Sequence, residues 1–293
     1  MNQYAIGIDI GGTNIRVALV DKQLNVLKKE SIETTAIKTL EDFIKVLHQL
    51  IRKVDANKLA AKIGMIVPIP WKNGMTHFKD AVNVPFLEGV AIEDIRRKFP
   101  DHSLFFENDV SVVALLESQA FSEKSLENLI YITVSTGIGS GIVINGEIWQ
   151  GAQGYAGEVG NMIVSNIEAK KAVTLEELCS GSALDKVSAK VYGEGKTAKE
   201  LFEAFKRQEK TAVEIIEPRI DILSDALASI MHMLNPDVFI FGGSVILNNP
   251  WLLELLKEKT RPKLLKHLRE SLKVELTHYG GDSGILGSAQ LCF

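Results

Sequence analysis

Residues 5–20, AIGIDIGGTNIRVALV, set a glycine pair between two apolar runs, with Asp9 just before it and Thr13-Asn14 just after. Glycine turns after strands can cradle phosphates, because bare backbone N–H groups approach an anion closely. The residues after the glycines decide which fold the turn serves. A dinucleotide-binding fold needs G-x-G-x-x-G opening a helix, so that the pyrophosphate meets the helix N-terminus. Here GGTN runs into IRVALV, which is β-branched and strand-like. A Walker loop needs G-x-x-x-x-G-K-[ST], a string absent from the chain. An ordinary tight hairpin, with glycine supplying positive φ, also fits the stretch taken alone.

The middle of the chain repeats the pattern. NLIYITVST is an apolar strand, GIGSG a glycine turn, and GIVINGEIW a hairpin around Asn145-Gly146, a strong type I′ signal. A third glycine pair, Gly242-Gly243 in FIFGGSV, ends a later strand. Two hairpin turns, one per domain and on either side of a triphosphate, are the design of the actin-like ATPases. The expected fold is therefore α/β, a two-domain actin-like ATPase (ribonuclease H-like motif) fold with an interdomain cleft. The N-terminal α/β domain is expected over 1–115, rejoined by the C-terminal helix, and the C-terminal α/β domain over 116–293.

Strands are expected at 4–10, 14–20 and 26–32. Leu40, Phe43, Ile44, Leu47, Ile51 and Val54 then recur at helical spacing behind a Thr39 N-cap. A strand over 62–69 ends in the loop PIPWKNG, and HSLFFEND takes a strand into a helix. The second half reads as helices at 183–192, 197–208 and 211–234. Pro218 is expected to kink the last of these or to mark its true first turn. Asn235-Pro236 stops it, the strand DVFIFGG follows, and helices at 251–259 and 262–270, a strand at 274–277 and a closing helix complete the chain.

Composition narrows the classes. Of 293 residues, 46% are hydrophobic and 24% charged, ordinary values for a globular protein with a sizeable core. A net charge of −4 gives no electrostatic footprint for nucleic acid or an anionic membrane. Two cysteines, Cys179 and Cys292, make no disulfide framework, and with no signal peptide legible a cytoplasmic setting is expected. The apolar runs are too short to cross a bilayer.

Together DIGGTNIR, FENDVSVVA, VSTGIGSGIVINGEIWQGAQGYAGEVGNM and NPDVFIFGGSV resemble the ROK family of sugar kinases and sugar-responsive repressors, in order and over nearly the full chain. The resemblance implies an ATP-dependent kinase that phosphorylates a hexose, glucose or N-acetylmannosamine foremost, with β-glucosides or fructose behind. Asp109 of FEND would be the catalytic base, and the alternative for Asn108 or Asp109 is an ordinary helix N-cap. The sugar would be held by Asn83, Asn108, Asp109, Glu158, Asn161 and Glu176. For Glu176 the alternative is a first-turn helix carboxylate behind Thr174, with Glu177 as a rival. Gly11, Gly12, Thr13 and Asn14, with Thr136 and Gly137, would cradle the ATP phosphates, and Gly242 and Gly243 would seat the adenosine. Asp9 would hold Mg²⁺ through water.

The chain also departs from the family. Relatives carry a zinc site built from a His after GEVG and a cysteine cluster, but here Asn161 and the cysteine-free SNIEAKKAV stand in those places. No structural zinc is expected, and Asn161 is left as a sugar contact of altered geometry. Ile69-Pro70 replaces a Pro-Gly pair near the sugar, and Trp71 reads as a loop anchor ahead of a stacking platform. With eight residues before Asp9 a DNA-binding module is not expected, which makes a regulatory sugar-binding protein without kinase activity the secondary reading. Polyphosphate stays open as donor, and a homodimer is what the resemblance suggests.

Overall fold

The structure is a computed structural model that describes residues 3–120, 126–164 and 172–293. The chain divides into two compact units. Unit 1 comprises Met1–Gln119, Ile148–Ala156 and Gly281–Phe293, and unit 2 comprises Ala120–Glu147 and Gly157–Gly280.

Unit 1 is built on a five-stranded sheet. Its strands are β1 (Tyr4–Ile10), β2 (Asn14–Asp21), β3 (Val26–Glu33), β4 (Lys62–Val67) and β5 (Ser103–Asn108), in the order β3-β2-β1-β4-β5. β1, β2 and β3 pair antiparallel, whereas β4 and β5 add on in parallel. Period-2 alternation splits β1 between two faces. Ile6, Ile8 and Ile10 join the core with Phe43, Leu47, Ile51 and Val54 of helix α1 (Leu40–Val54). Thr39 caps α1, its Oγ1 accepting from the Asp42 N–H at 3.1 Å. On the opposite face Gly7 and Gly64, paired across β1 and β4, form a trough for helix α10 (Ser283–Gln290). A Cβ at Gly7 would lie 2.5 Å from the Ile285 carbonyl oxygen, and one at Gly64 only 1.7 Å from that of Ser288. Only residues without side chains let helix and sheet meet so closely.

Unit 2 holds β6 (Leu129–Val134), β7 (Ile138–Ile144), β8 (Glu147–Ile148), β9 (Val238–Gly242) and β10 (Val274–Leu276), ordered β10-β9-β6-β7-β8. β6 and β7 form an antiparallel hairpin, and β9 and β10 add in parallel. Counted outward from its hairpin, this sheet repeats the order of the first. That is the structural form of the sequence echo. Asn145 and Gly146 both have positive φ, 53° and 76°, as a type I′ turn requires.

One helical expectation needs correction, and of the two outcomes open for Pro218 one is excluded. Helix α7 (Lys210–Leu234) passes through Pro218, which therefore does not open it; the helix starts eight residues earlier. The ring removes one backbone donor, but Ile216 and Ile220 on either side are buried and keep the segment helical. The expected helix at 262–270 is reduced to two 3₁₀ turns, Arg261–Lys263 and Lys266–Leu268. Leu264 is buried in extended conformation between them, and Arg269 donates its guanidinium to the carbonyls of Leu264 and Pro262 at 3.0 and 3.2 Å. A side chain thus takes the acceptors a helix would have used.

Candidate functional site

The glycine turn joining β1 to β2 is held at its base. The Gly11 N–H donates to the Asn14 carbonyl at 2.9 Å, and Thr34 donates through its N–H to Thr13 O and through Oγ1 to Gly11 O. Gly12, Thr13 and Asn14 are exposed. Neither Gly11 nor Gly12 has positive φ, so the tight-hairpin account of the pair does not hold. A Cβ at Gly12 would come no closer than 3.6 Å, to Asn83, which lies beside the turn. Neither backbone conformation nor packing within unit 1 demands glycine at that position.

Asp9 lies on the α10 face of β1, 6% exposed, where a Cβ at Gly284 would approach its Oδ2 to 2.5 Å. It forms an ion pair with Arg16, its partner across the β1–β2 register, and Arg16 also donates to Gly281 O at 2.6 Å. Burial pushes the Asp9 carboxyl above its ordinary range, against the opposing pull of the Arg16 charge. Sequence reasoning missed Arg16, although an acid and a base flanking a short turn were there to be registered across a hairpin.

The junction between β5 and helix α3 (Asp109–Ala120) carries the next group. Asn108 is the cap: its Oδ1 accepts from Val110 N–H at 3.1 Å and Ser111 N–H at 2.9 Å, and its Nδ2 donates to Ile69 O at 3.1 Å. That separates the roles that sequence left open, since with Asn108 capping, Asp109 is the first residue of the helix. Asp109 Oδ1 accepts from Val110 N–H at 2.9 Å. Trp71 is buried with its ring 5.9 Å from Phe78 and 5.6 Å from Phe106, so it anchors the loop. Glu107, also missed, is 5% exposed, and burial pushes its carboxyl up to about 7 against the hydrogen bonds from Asn108 and Gln150.

In unit 2 the β6–β7 turn carries Thr136 and Gly137. Helix α5 (Gly181–Tyr192) docks on it, with Gly181 N–H donating to Ser135 O at 2.7 Å and Ser182 N–H to Thr136 O at 3.2 Å. Helix α4 (Leu175–Cys179) supplies two acids with different jobs. Glu177 closes a capping box with Thr174, while Glu176 Oε2 accepts from Ile138 N–H at 2.7 Å, in space that a Cβ at Gly137 would fill to 2.6 Å. Glu176 is thus tied to the turn expected to hold phosphate. Asn161 Nδ2 donates to Glu158 Oε2 at 3.2 Å. Burial raises the Glu158 carboxyl, and the neighbouring Glu176 charge adds to the rise. Gly242 and Gly243 answer a packing need: Cβ atoms there would lie 2.1 Å from Tyr131 Oη and 2.4 Å from Val134 O, and Gly243 has φ 85°.

Unit 1 therefore gathers Asp9, Gly11, Gly12, Thr13, Asn14, Asn83, Asn108 and Asp109, whereas unit 2 gathers Thr136, Gly137, Glu158, Asn161, Glu176, Gly242 and Gly243. A cavity of about 660 Å³ in unit 1, lined by Trp71, Met75, Arg96, Phe105 and Glu107 among others, includes none of them. Among the described residues no three His, Cys, Asp or Glu side chains are placed to share a metal ion. Residues 165–171, most of the stretch that replaces the cysteine cluster, lie outside the described residues. Among the described residues no helix is long and apolar enough to cross a membrane.

A glucokinase of Thermotoga maritima is 28% identical over 98% of this chain and 96% of its own length. An N-acetyl-D-glucosamine kinase of Mannheimia succiniciproducens is 29% identical over 97% and 98%. The crystal structure of a ROK hexokinase from Thermus thermophilus superposes with a TM-score of 0.81 at 26% identity, over 98% of this chain and 97% of that one, and it shares the actin-like ATPase fold. The ROK family profile matches residues 5–293. Two sheets of one order, each opening on a glycine hairpin, are thus the frame of a member of the ROK family, to which this chain belongs.

Proposed function

We propose that the protein is an ATP-dependent sugar kinase that transfers the γ-phosphoryl group to a hydroxyl of a hexose. The observation that carries this reading is the β5–α3 junction. There Asn108 takes the capping duty, and Asp109 stands beside it with one carboxylate oxygen fixed by Val110 N–H. Phosphoryl transfer asks of a protein mainly positioning, charge neutralisation and an acceptor for the hydroxyl proton. Asp109 takes that proton as the hydroxyl oxygen bonds to the γ-phosphorus, and the bond to the β–γ bridging oxygen breaks to release ADP. The exposed Gly12–Asn14 backbone, at a position where neither φ nor packing calls for glycine, supports a close approach by phosphate.

Asp9 fits the modest demand of a nucleotide-bound Mg²⁺, which keeps most of its waters and asks for one or two carboxylates. Bound there through water, the ion supplies charge neutralisation on the phosphates. Arg16 keeps Asp9 oriented, and Glu176 fixes the Ile138 end of the second turn. Asn83, Asn108, Glu158 and Asn161 supply the polar groups that sugar hydroxyls need when they leave water. Glucose and N-acetylmannosamine are the first substrates to try, and the kinship to an N-acetylglucosamine kinase adds a third.

The test is a coupled assay crossing these sugars, fructose and a β-glucoside with ATP and polyphosphate. Turnover on at least one sugar is expected, and none on any refutes the reading. Asp109→Asn should lower kcat by about 10²- to 10⁴-fold while calorimetry still detects sugar binding. Sugar binding by the wild type without turnover would favour the regulatory reading instead.

A further inference from the structure

One buried carboxylate has no part in the chemistry above. Glu107, the residue before the Asn108-Asp109 turn, spends both oxygens on N–H donors. Its Oε1 accepts from Asn108 N–H at 2.9 Å and its Oε2 from Gln150 Nε2 at 2.7 Å. Gln150 reaches further, with its Oε1 accepting from Asn73 N–H at 3.4 Å. It belongs to Ile148–Ala156, a segment assigned to unit 1 although the chain on either side of it belongs to unit 2. The segment is fastened along its length. Lys72 Nζ donates to Ala152 O at 2.6 Å, Tyr155 bonds the Asp80 carboxylate, and Gly154 sits where a Cβ would lie 2.6 Å from Trp71 O.

We propose that Glu107 and Gln150 form a positioning pair, which fixes the backbone of the Asn108-Asp109 turn and so the aim of the Asp109 carboxylate. Three supports converge on that turn: Glu107 on the Asn108 N–H, Ile69 O on the Asn108 side chain, and the α3 cap. Of these Glu107 alone is ionisable. Among the described residues two N–H donors and no acceptor bond it, a set that an ionised carboxylate satisfies and a carboxamide half satisfies. The other charged groups near it are committed elsewhere or stand off. Arg96 of the short helix α2 (Ile92–Arg96) donates to Leu104 O at 2.8 Å and lies over the Phe106 ring. Glu93 of the same helix lines the cavity, and Lys72 is bound to Ala152. Ionised, Glu107 has two well-made bonds and, among the described residues, no ion-pair partner, which is a costly way to hold a turn. Its place directly before the proposed base gives that cost a purpose.

The inference rests on the kinase reading, and its test separates the two. Wild type, Glu107→Gln, Gln150→Ala and the double variant are compared in steady state on the sugar the wild type uses. Glu107→Gln is expected to lower kcat by about 10- to 100-fold, as small misplacements of a reacting group do, with KM for ATP within about twofold. Gln150→Ala should act in the same direction more weakly. The double variant should be no slower than Glu107→Gln, because both changes break one network. Folded fractions are read in parallel by circular dichroism at the assay temperature. A wild type inert on every sugar refutes the kinase reading and the inference with it. An active wild type with unchanged kcat in both single variants, strictly multiplicative losses, or losses that track the folded fraction would overturn the inference alone.

Discussion

Glu107→Gln should flatten the response of stability to pH. In the folded protein burial lifts this carboxyl from an ordinary 4.5 to about 7. The native state therefore binds the proton more tightly than the unfolded chain. Below pH 4.5 both states are protonated and above pH 7 both are ionised, so stability changes only within that window. Through it the native state is the more protonated, and stability falls as pH rises. At ~1.4 kcal/mol per pH unit, Glu107 removes about 3 kcal/mol between the two ends. Glutamine keeps the volume and cannot ionise. At low pH the variant pays only for one mismatched donor, roughly 1–2 kcal/mol, and by pH 8 that deficit should be offset or reversed. Asp9 and Glu158 are also raised by burial, but they are common to both proteins and cancel in the difference. Urea unfolding of the two proteins at pH 5 and pH 8 gives the quantity directly. Free-energy curves that stay parallel within about 1 kcal/mol would refute the account of a desolvated carboxylate.

Gly64→Ala should be among the most damaging small substitutions, since its Cβ would lie 1.7 Å from Ser288 O, a backbone atom that cannot swing aside. A loss of at least ~3 kcal/mol or insoluble expression is expected, and a melting temperature within a few degrees of wild type would contradict the close seating of α10. Cys179 and Cys292 are buried, and burial pushes both thiols up to about 12. At pH 8 neither should react with a thiol reagent until denaturant is added, which a colorimetric time course settles.

Much of this was legible in the sequence because the signals were local. The glycine hairpins, the Thr39 cap and the Asn145-Gly146 turn depend on neighbouring residues, and the structure has each of them. The role of Trp71 as an anchor also followed, from its place in a proline-rich loop. What could not be read depended on partners far along the chain. Glu107 is adjacent to a motif, yet its meaning comes from Gln150, 43 residues away. The glycines at 242 and 243 read as ligand seats, and that they also meet a packing need set by residues on β6 was not legible. The segment at 262–270 went wrong for a related reason, since one arginine and a buried leucine overruled the local preference, and of the two outcomes open for Pro218 only the helix start is excluded. Family resemblance supplied Asn83, Glu158 and Glu176 as sugar ligands, and neither spacing nor composition would have singled them out.

The seating of α10 also sets an order of events during synthesis. Sheet β3-β2-β1-β4-β5 is complete once Asn108 has been made, but the helix that fills its Gly7–Gly64 trough lies beyond the whole of unit 2. At ~5–20 residues per second that interval is on the order of ten seconds. Throughout it a nascent chain carries a finished sheet with its Gly7–Gly64 trough unfilled, while a second sheet of identical strand order is emerging behind it. A ribosome-bound chain arrested after Gly280 should therefore recruit chaperones and be cut readily by protease, and release of the last thirteen residues should end both.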